Sequence, residues 1–205
     1  MPPRSLRVPC DWFLAQNAKH CQIEAALPTL NPALQKALAE LLLMRLFDDL
    51  QEALAGIAYR LACGAPYVDN TSPTLFTAPA RSTMAARTMF ETYNRGGRRY
   101  YVKWSKTTYI KDTVKHVLDP TNSFTLACDA HALTISEMQI VRNRIAHRNT
   151  TTRARFNTVL QRYYGGTPSN VTPGLLLIAP RTVPATPLSR YLTATRVLVK
   201  DCVRA

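Results

Sequence analysis

NPALQKALAELLLMRLFDDLQEALAGIAYRLACG, residues 31–64, decides the fold class. Asn31 followed by Pro32 is a helix start. The carboxamide accepts from N–H groups of the first turn, and proline at the first helical position gives up an N–H that would lack a partner anyway. Gly64 is an apt terminator, because glycine enters the left-handed conformation of a helix end without steric cost. Between them Leu34, Leu38, Leu42, Leu46, Leu50, Leu54, Ile57 and Leu61 recur at threes and fours, one stripe of one long helix. That stripe is expected to form the backbone of the core, and part of it is suited to packing across a dimer interface. Arg45 and Asp49, four apart, read as an exposed helix pair contributing a few tenths of a kcal/mol.

Helix signals continue on both sides. Asp11 to Ala26 reads as a first helix ending before Pro28, and Ser82 caps a segment from Thr83 to Tyr93 that Gly96-Gly97 stops. Lys106 to Leu118 is helical in pattern, and Asp119 to Leu133 reads as a connection. Thr134 and Glu137 have the spacing of a capping box, which starts a helix over about 135–148. Thr150 to Tyr164 follows, with Phe156, Val159, Leu160 and Tyr163 inward and Gly165-Gly166 closing it. Residues 167–186 form a proline-punctuated excursion around Leu175 to Ile178, read as an edge strand or a clamp. Thr186-Pro187 opens a last helix over about 187–204, burying Leu188, Tyr191, Leu192, Leu198, Val199 and Cys202. The expected architecture is one all-α domain over 1–205: a bundle of about five to six helices with one long central helix and a short extended segment near the C-terminus.

With 205 residues and 46% apolar content, the chain can bury a sizeable core. Its formal charge of +13 is unevenly placed. Residues 1–80 carry six Lys/Arg against seven Asp/Glu, residues 81–163 fifteen against five, and residues 164–205 five against one. The excess gathers around the Arg142–His147 segment, and such a field draws in polyanions. A membrane surface is a poorer match, because no stretch joins this charge to a strong apolar face. Arg4, Pro9 and Asp11 break up the window a secretory leader needs, and no run approaches the ~18 apolar residues of a membrane span. Cysteines 10, 21, 63, 128 and 202 are odd in number and scattered, as expected of reduced thiols in the cytoplasm. Cys128 and His131 offer two zinc-type donors without a second pair, so neither metal nor cofactor is expected. No Walker loop or Gly-x-Gly-x-x-Gly is present, which leaves phosphate-loop hydrolysis and dinucleotide redox chemistry unsupported.

Glu137-Met138-Gln139-Ile140-Val141-Arg142-Asn143-Arg144-Ile145-Ala146-His147 is the stretch that points to chemistry. Met138, Val141 and Ile145 form its core stripe. At about 100° per residue, Asn143 and His147 stand about 40° apart on the opposite side, one turn above each other, whereas Arg142 and His147 are about 140° apart. An imidazole titrates near pH ~6.5 and exchanges protons at working pH, while a guanidinium keeps its charge and grips two phosphate oxygens. Arg142, Asn143 and His147 are therefore the candidate catalytic residues: phosphate clamp, orienting carboxamide, and general base or acid.

The string Arg142-Asn143-x-Ile145-Ala146-His147-x-Asn149, on a capped helix in a basic helical chain, resembles the signature of the HEPN superfamily. The similarity is specific over about Thr134 to Tyr164 and architectural elsewhere. It implies a metal-independent endoribonuclease acting as a homodimer, of the kind found in toxin–antitoxin pairs, phage defence and RNA processing. It also implies an antitoxin or other regulatory protein as a further partner, and products bearing a 2′,3′-cyclic phosphate and a 5′-hydroxyl. One subgroup has a modifiable Tyr two residues after the His. Asn149 stands there in this chain, so that form of regulation does not carry over. In Arg98-Arg99-Tyr100-Tyr101-Val102-Lys103-Trp104 cations and rings alternate, which suits either base stacking on single-stranded RNA or packing on the bundle. Arg98, Arg99, Tyr101, Lys103, Arg144 and Arg148 are the RNA-binding candidates. The competing readings are a non-catalytic RNA- or partner-binding module of the same superfamily, and a basic helical DNA-binding protein.

Overall fold

The computed structural model describes residues 5–92, 102–179 and 185–205. Over these residues the chain is all-α: α1 (Arg7–Ala26), α2 (Pro32–Ala62), α3 (Thr83–Thr92), α4 (Thr107–Val114), α5 (Ser123–Ala130), α6 (Ala132–Ala146), α7 (Thr150–Tyr164), α8 (Pro173–Ile178) and α9 (Pro187–Asp201). The extended pairing among the described residues is one isolated bridge, Leu75 with Leu118. No described helix is long and apolar enough to cross a membrane.

The long helix forms for the reasons its sequence gives. Leu34 N–H donates to the Asn31 carboxamide oxygen (3.0 Å), and Gly64 closes the far end at φ +79°. The stripe is buried from Leu42 through Leu46, Leu50, Leu54, Ile57 and Leu61, but Leu34 is 48% exposed, so the core begins about two turns later than the pattern implied. The Arg45–Asp49 pair does not form. Asp49 Oδ2 lies 2.7 Å from His20 Nε2 instead, and a half-buried carboxylate gains more from a buried ring nitrogen than from an exposed arginine.

Contacts group the chain into two compact units, and α1, α2 and α9 contribute residues to both. Met1–Leu14, Leu50–Ala132 and Arg196–Ala205 make the first. Phe13, Leu54, Ile57, Leu61, Ile110, Phe124 and Val199 are fully or almost fully buried in its core. Tyr59, Phe90 and Trp104 form an edge-to-face cluster with Trp104 centroids 5.8 and 6.1 Å from the other two rings, so Trp104 is a packing residue. The expected connection at 119–133 contains α5. Its start is an Asn122 cap whose side chain accepts from Thr125 N–H (3.0 Å), hidden in a Pro-Thr-Asn-Ser run that reads as loop. Burial, reinforced by neighbouring Cys128, pushes the Cys202 thiol well above its usual range, and His131 pairs with Asp201 at 3.6 Å.

Ala15–Asp49 and Leu133–Thr195 make the second unit. The Asn17 carboxamide donates to Leu192 O (3.0 Å), tying α1 to α9. Phe156, Val159, Leu160 and Tyr163 of α7, and Leu188, Tyr191 and Leu192 of α9, are buried as their spacing requires. The run Leu175–Ile178 is neither strand nor extended clamp but the body of α8. Thr172 Oγ1 accepts from Leu175 N–H (3.2 Å), and Pro173 stands at the start. Gly174 brings α8 onto α2: its N–H donates to Glu40 Oε1 (2.9 Å), and a Cβ there would lie 2.6 Å from the Lys36 carbonyl oxygen. Gly174→Ala must push two backbones apart, so a loss of about 1–3 kcal/mol is expected in urea unfolding. Gly166→Ala, whose added Cβ meets nothing within 4 Å, serves as the control and should cost far less.

Candidate functional site

The motif helix is held differently from the way its first turn reads. α6 starts at Ala132, so Thr134 lies inside the helix and the Thr134–Glu137 capping box is absent. The Glu137 carboxylate instead reaches α7 and α9. Its Oε1 accepts from the hydroxyls of Tyr163 (2.6 Å) and Tyr191 (2.7 Å), and its Oε2 accepts from Arg162 Nη1 (3.2 Å). Arg190 Nη1 donates in turn to the Tyr163 hydroxyl (3.0 Å). Thr-x-x-Glu spacing is the same for a cap and for a cross-helix acceptor, and the two tyrosines lie 26 and 54 residues further along the chain. Burial, and after it Glu137, drives both phenols well above the ordinary tyrosine range.

At the other end of α6, Met138 and Val141 are buried and Arg142 is half-buried beside them. Arg142 Nη1 lies 3.4 Å from Asn143 Oδ1, and its Nε is closed off from solvent with no hydrogen-bond partner among the described residues. The helix ends at Ala146, one residue short of His147. His147 N–H still donates to Asn143 O (2.9 Å), which completes the last turn, and the residue is exposed. Asn143 and His147 thus meet through the backbone, and the Asn143 carboxamide oxygen accepts from Arg142.

The turn after His147 is fixed from the α7 side. The Thr152 hydroxyl donates to the His147 carbonyl, and the Asn149 side chain accepts from Thr152 N–H (2.9 Å). Asn149 is therefore the cap of α7.

Arg144 and Arg148 lie together at this turn. Arg144 Nη1 donates to Asn149 O (3.1 Å). With Arg153 of α7 they line a cleft of about 290 Å³ that Thr172 and Pro173 also line. Arg153, which donates through Nη2 to the carbonyls of Pro168 (3.3 Å) and Ser169 (3.4 Å), was not picked out by the motif reading. Its only sequence signal is a cation four residues past a helix cap. Among the described residues no carboxylate lies within ion-pair distance of Arg142, Arg144, Arg148 or Arg153.

Lys103 is exposed in the other unit, its ammonium 5.5 Å from the centre of the Tyr109 ring. Arg98, Arg99 and Tyr101 lie outside the described residues. No group of three or more His, Cys, Asp or Glu side chains among the described residues is arranged to hold a metal ion.

Glu137→Ala strips two buried phenols and an exposed guanidinium of their acceptor, and unfolding free energy should fall by about 1–3 kcal/mol in urea titration. The tyrosines predict an alkaline effect. Their folded-state pKa values exceed the unfolded value of about 10, so the folded chain keeps protons that the unfolded chain releases. Their stabilisation is complete below that pH and declines as pH rises above it. Urea midpoints compared at about pH 8 and about pH 11 should fall for wild type and fall less for Tyr191→Phe.

Neither protein-family models, nor curated proteins, nor solved structures give a match to this chain.

Proposed function

We propose that the chain is a HEPN-type endoribonuclease that cuts RNA without a metal ion. The observation that carries this reading is the α6–α7 junction. There an arginine with no neutralising carboxylate stands beside a carboxamide, and an exposed imidazole follows one residue past the helix end, its backbone tied on both sides. The basic excess of residues 133–163, six arginines against one carboxylate, supports a polyanionic substrate around the same junction.

In this reading the RNA 2′-hydroxyl attacks the adjacent phosphorus, the O2′–P bond forms and the P–O5′ bond breaks. The His147 imidazole takes the proton from the 2′-oxygen or delivers one to the departing 5′-oxygen. Arg142 offsets charge on the non-bridging oxygens, with Asn143 orienting it. Because Arg142 is held half-buried at the margin of the core while His147 stands exposed past the helix end, a two-fold homodimer that pools both motifs is the arrangement that gives one phosphate both groups. Such an activity in the cytoplasm calls for restraint by an antitoxin or other regulatory protein.

A second reading is a non-catalytic RNA- or partner-binding module of the same superfamily. The sequestered Nε of Arg142 favours it, since a guanidinium held against the core is poorly placed to follow a reacting phosphate. Incubating wild type and His147→Ala with labelled structured RNA in EDTA separates the two. The ribonuclease reading expects cleavage ending in 2′,3′-cyclic phosphate and a loss of at least ~100-fold on substitution. Equal binding by both proteins with no cleavage by either points to the module.

A further inference from the structure

We propose that the cleft between Arg144, Arg148 and Arg153 is a phosphate subsite that grips the RNA strand beside His147, an inference that rests on the ribonuclease reading. Two of its three guanidiniums are aimed by main-chain carbonyls: Arg144 by Asn149, and Arg153 by Pro168 and Ser169. A carbonyl fixes the direction of a guanidinium without cancelling its charge, and each arginine has five N–H donors of which these contacts occupy a minority. The one carboxylate lining the cleft, Glu40, already has its Oε1 on Gly174 N–H (2.9 Å). Thr172 Oγ1 accepts from Leu175 N–H and so retains its own proton to donate.

The remaining donors surround about 290 Å³, room on the order of ten waters, which accommodates a phosphate group with its sugar. Arginine forks suit phosphate oxygens two at a time. Arg148 lines the cleft and follows His147 directly, so their Cα atoms are about 3.8 Å apart and the cleft adjoins the junction. A free nucleotide carries the same phosphate chemistry. The strand is favoured because residues 133–163 carry six arginines against one carboxylate, more than one phosphate needs.

The test uses the His147→Ala chain, fluorescence anisotropy with a single-stranded RNA of about ten nucleotides, and a series of salt concentrations. Arg148→Ala and Arg153→Ala should each weaken binding about tenfold and lower the salt slope by about one. Ser169→Asp, which sets a carboxylate on the rim, should weaken binding at least as much. Arg148 is exposed and Ser169 lends only its backbone carbonyl, so these two variants answer even where Arg153→Ala unfolds. Unchanged affinity and slope in folded Arg148→Ala and Ser169→Asp overturn the subsite. So does 5′-AMP binding that needs Arg153 while RNA binding does not. Arginine-dependent RNA binding by a wild type that never cleaves keeps the subsite and sinks the ribonuclease reading. Cleavage that needs His147 but ignores all three cleft variants does the opposite.

Discussion

One carboxylate sets the orientation of the motif helix. Glu137 is largely withdrawn from water, and a charge in that position must be met by donors or it destabilises the fold. Two phenols and a guanidinium meet it, drawn from α7 and α9. Because hydrogen bonds are directional, they fix α6 in rotation as well as in position. That rotation sends Met138 and Val141 inward and leaves Arg142 at the margin of the core, with Asn143 within reach of it. The chemistry proposed at the C-terminal end of α6 is thus set from near its N-terminal end, about two turns earlier.

The junction itself is a meeting of two helix ends. α6 closes through His147 N–H and α7 opens through the Asn149 side chain, with Thr152 bridging back to the His147 carbonyl. The His147 N–H and carbonyl, the Asn149 carbonyl and the Thr152 N–H are each hydrogen-bonded, which holds the backbone while His147 stays exposed. A rigid backbone under an accessible side chain is the condition a proton-transfer group requires.

Long elements were legible in the sequence because their evidence is redundant. α2 shows six buried stripe positions from Leu42 to Leu61, and α7 and α9 bury each residue of their second-unit stripes that periodicity named. α5 and α8 escaped because eight and six residues offer too few turns for a period, and their caps, Asn122 and Thr172, stand beside prolines that read as loop. Glu137 and Asp49 were misassigned for another reason. Local spacing proposes a partner three or four residues away, while the fold supplies better ones from other helices. Arg153 joined the cleft through carbonyls that no side-chain pattern encodes. The helix that carries Arg142 and Asn143 was legible; its end just before His147 was not.

The use of main-chain carbonyls to aim Arg144 and Arg153 has a consequence for how the cleft tolerates change. A carbonyl belongs to whatever residue occupies the position, so substitution at Asn149, Pro168 or Ser169 leaves the acceptor itself in place. Had carboxylates aimed these arginines, a single replacement would have released them and altered the local charge together. Here the rim can drift in sequence while the geometry beneath it endures. Mutational robustness and an uncancelled positive charge therefore arise from the same main-chain atoms.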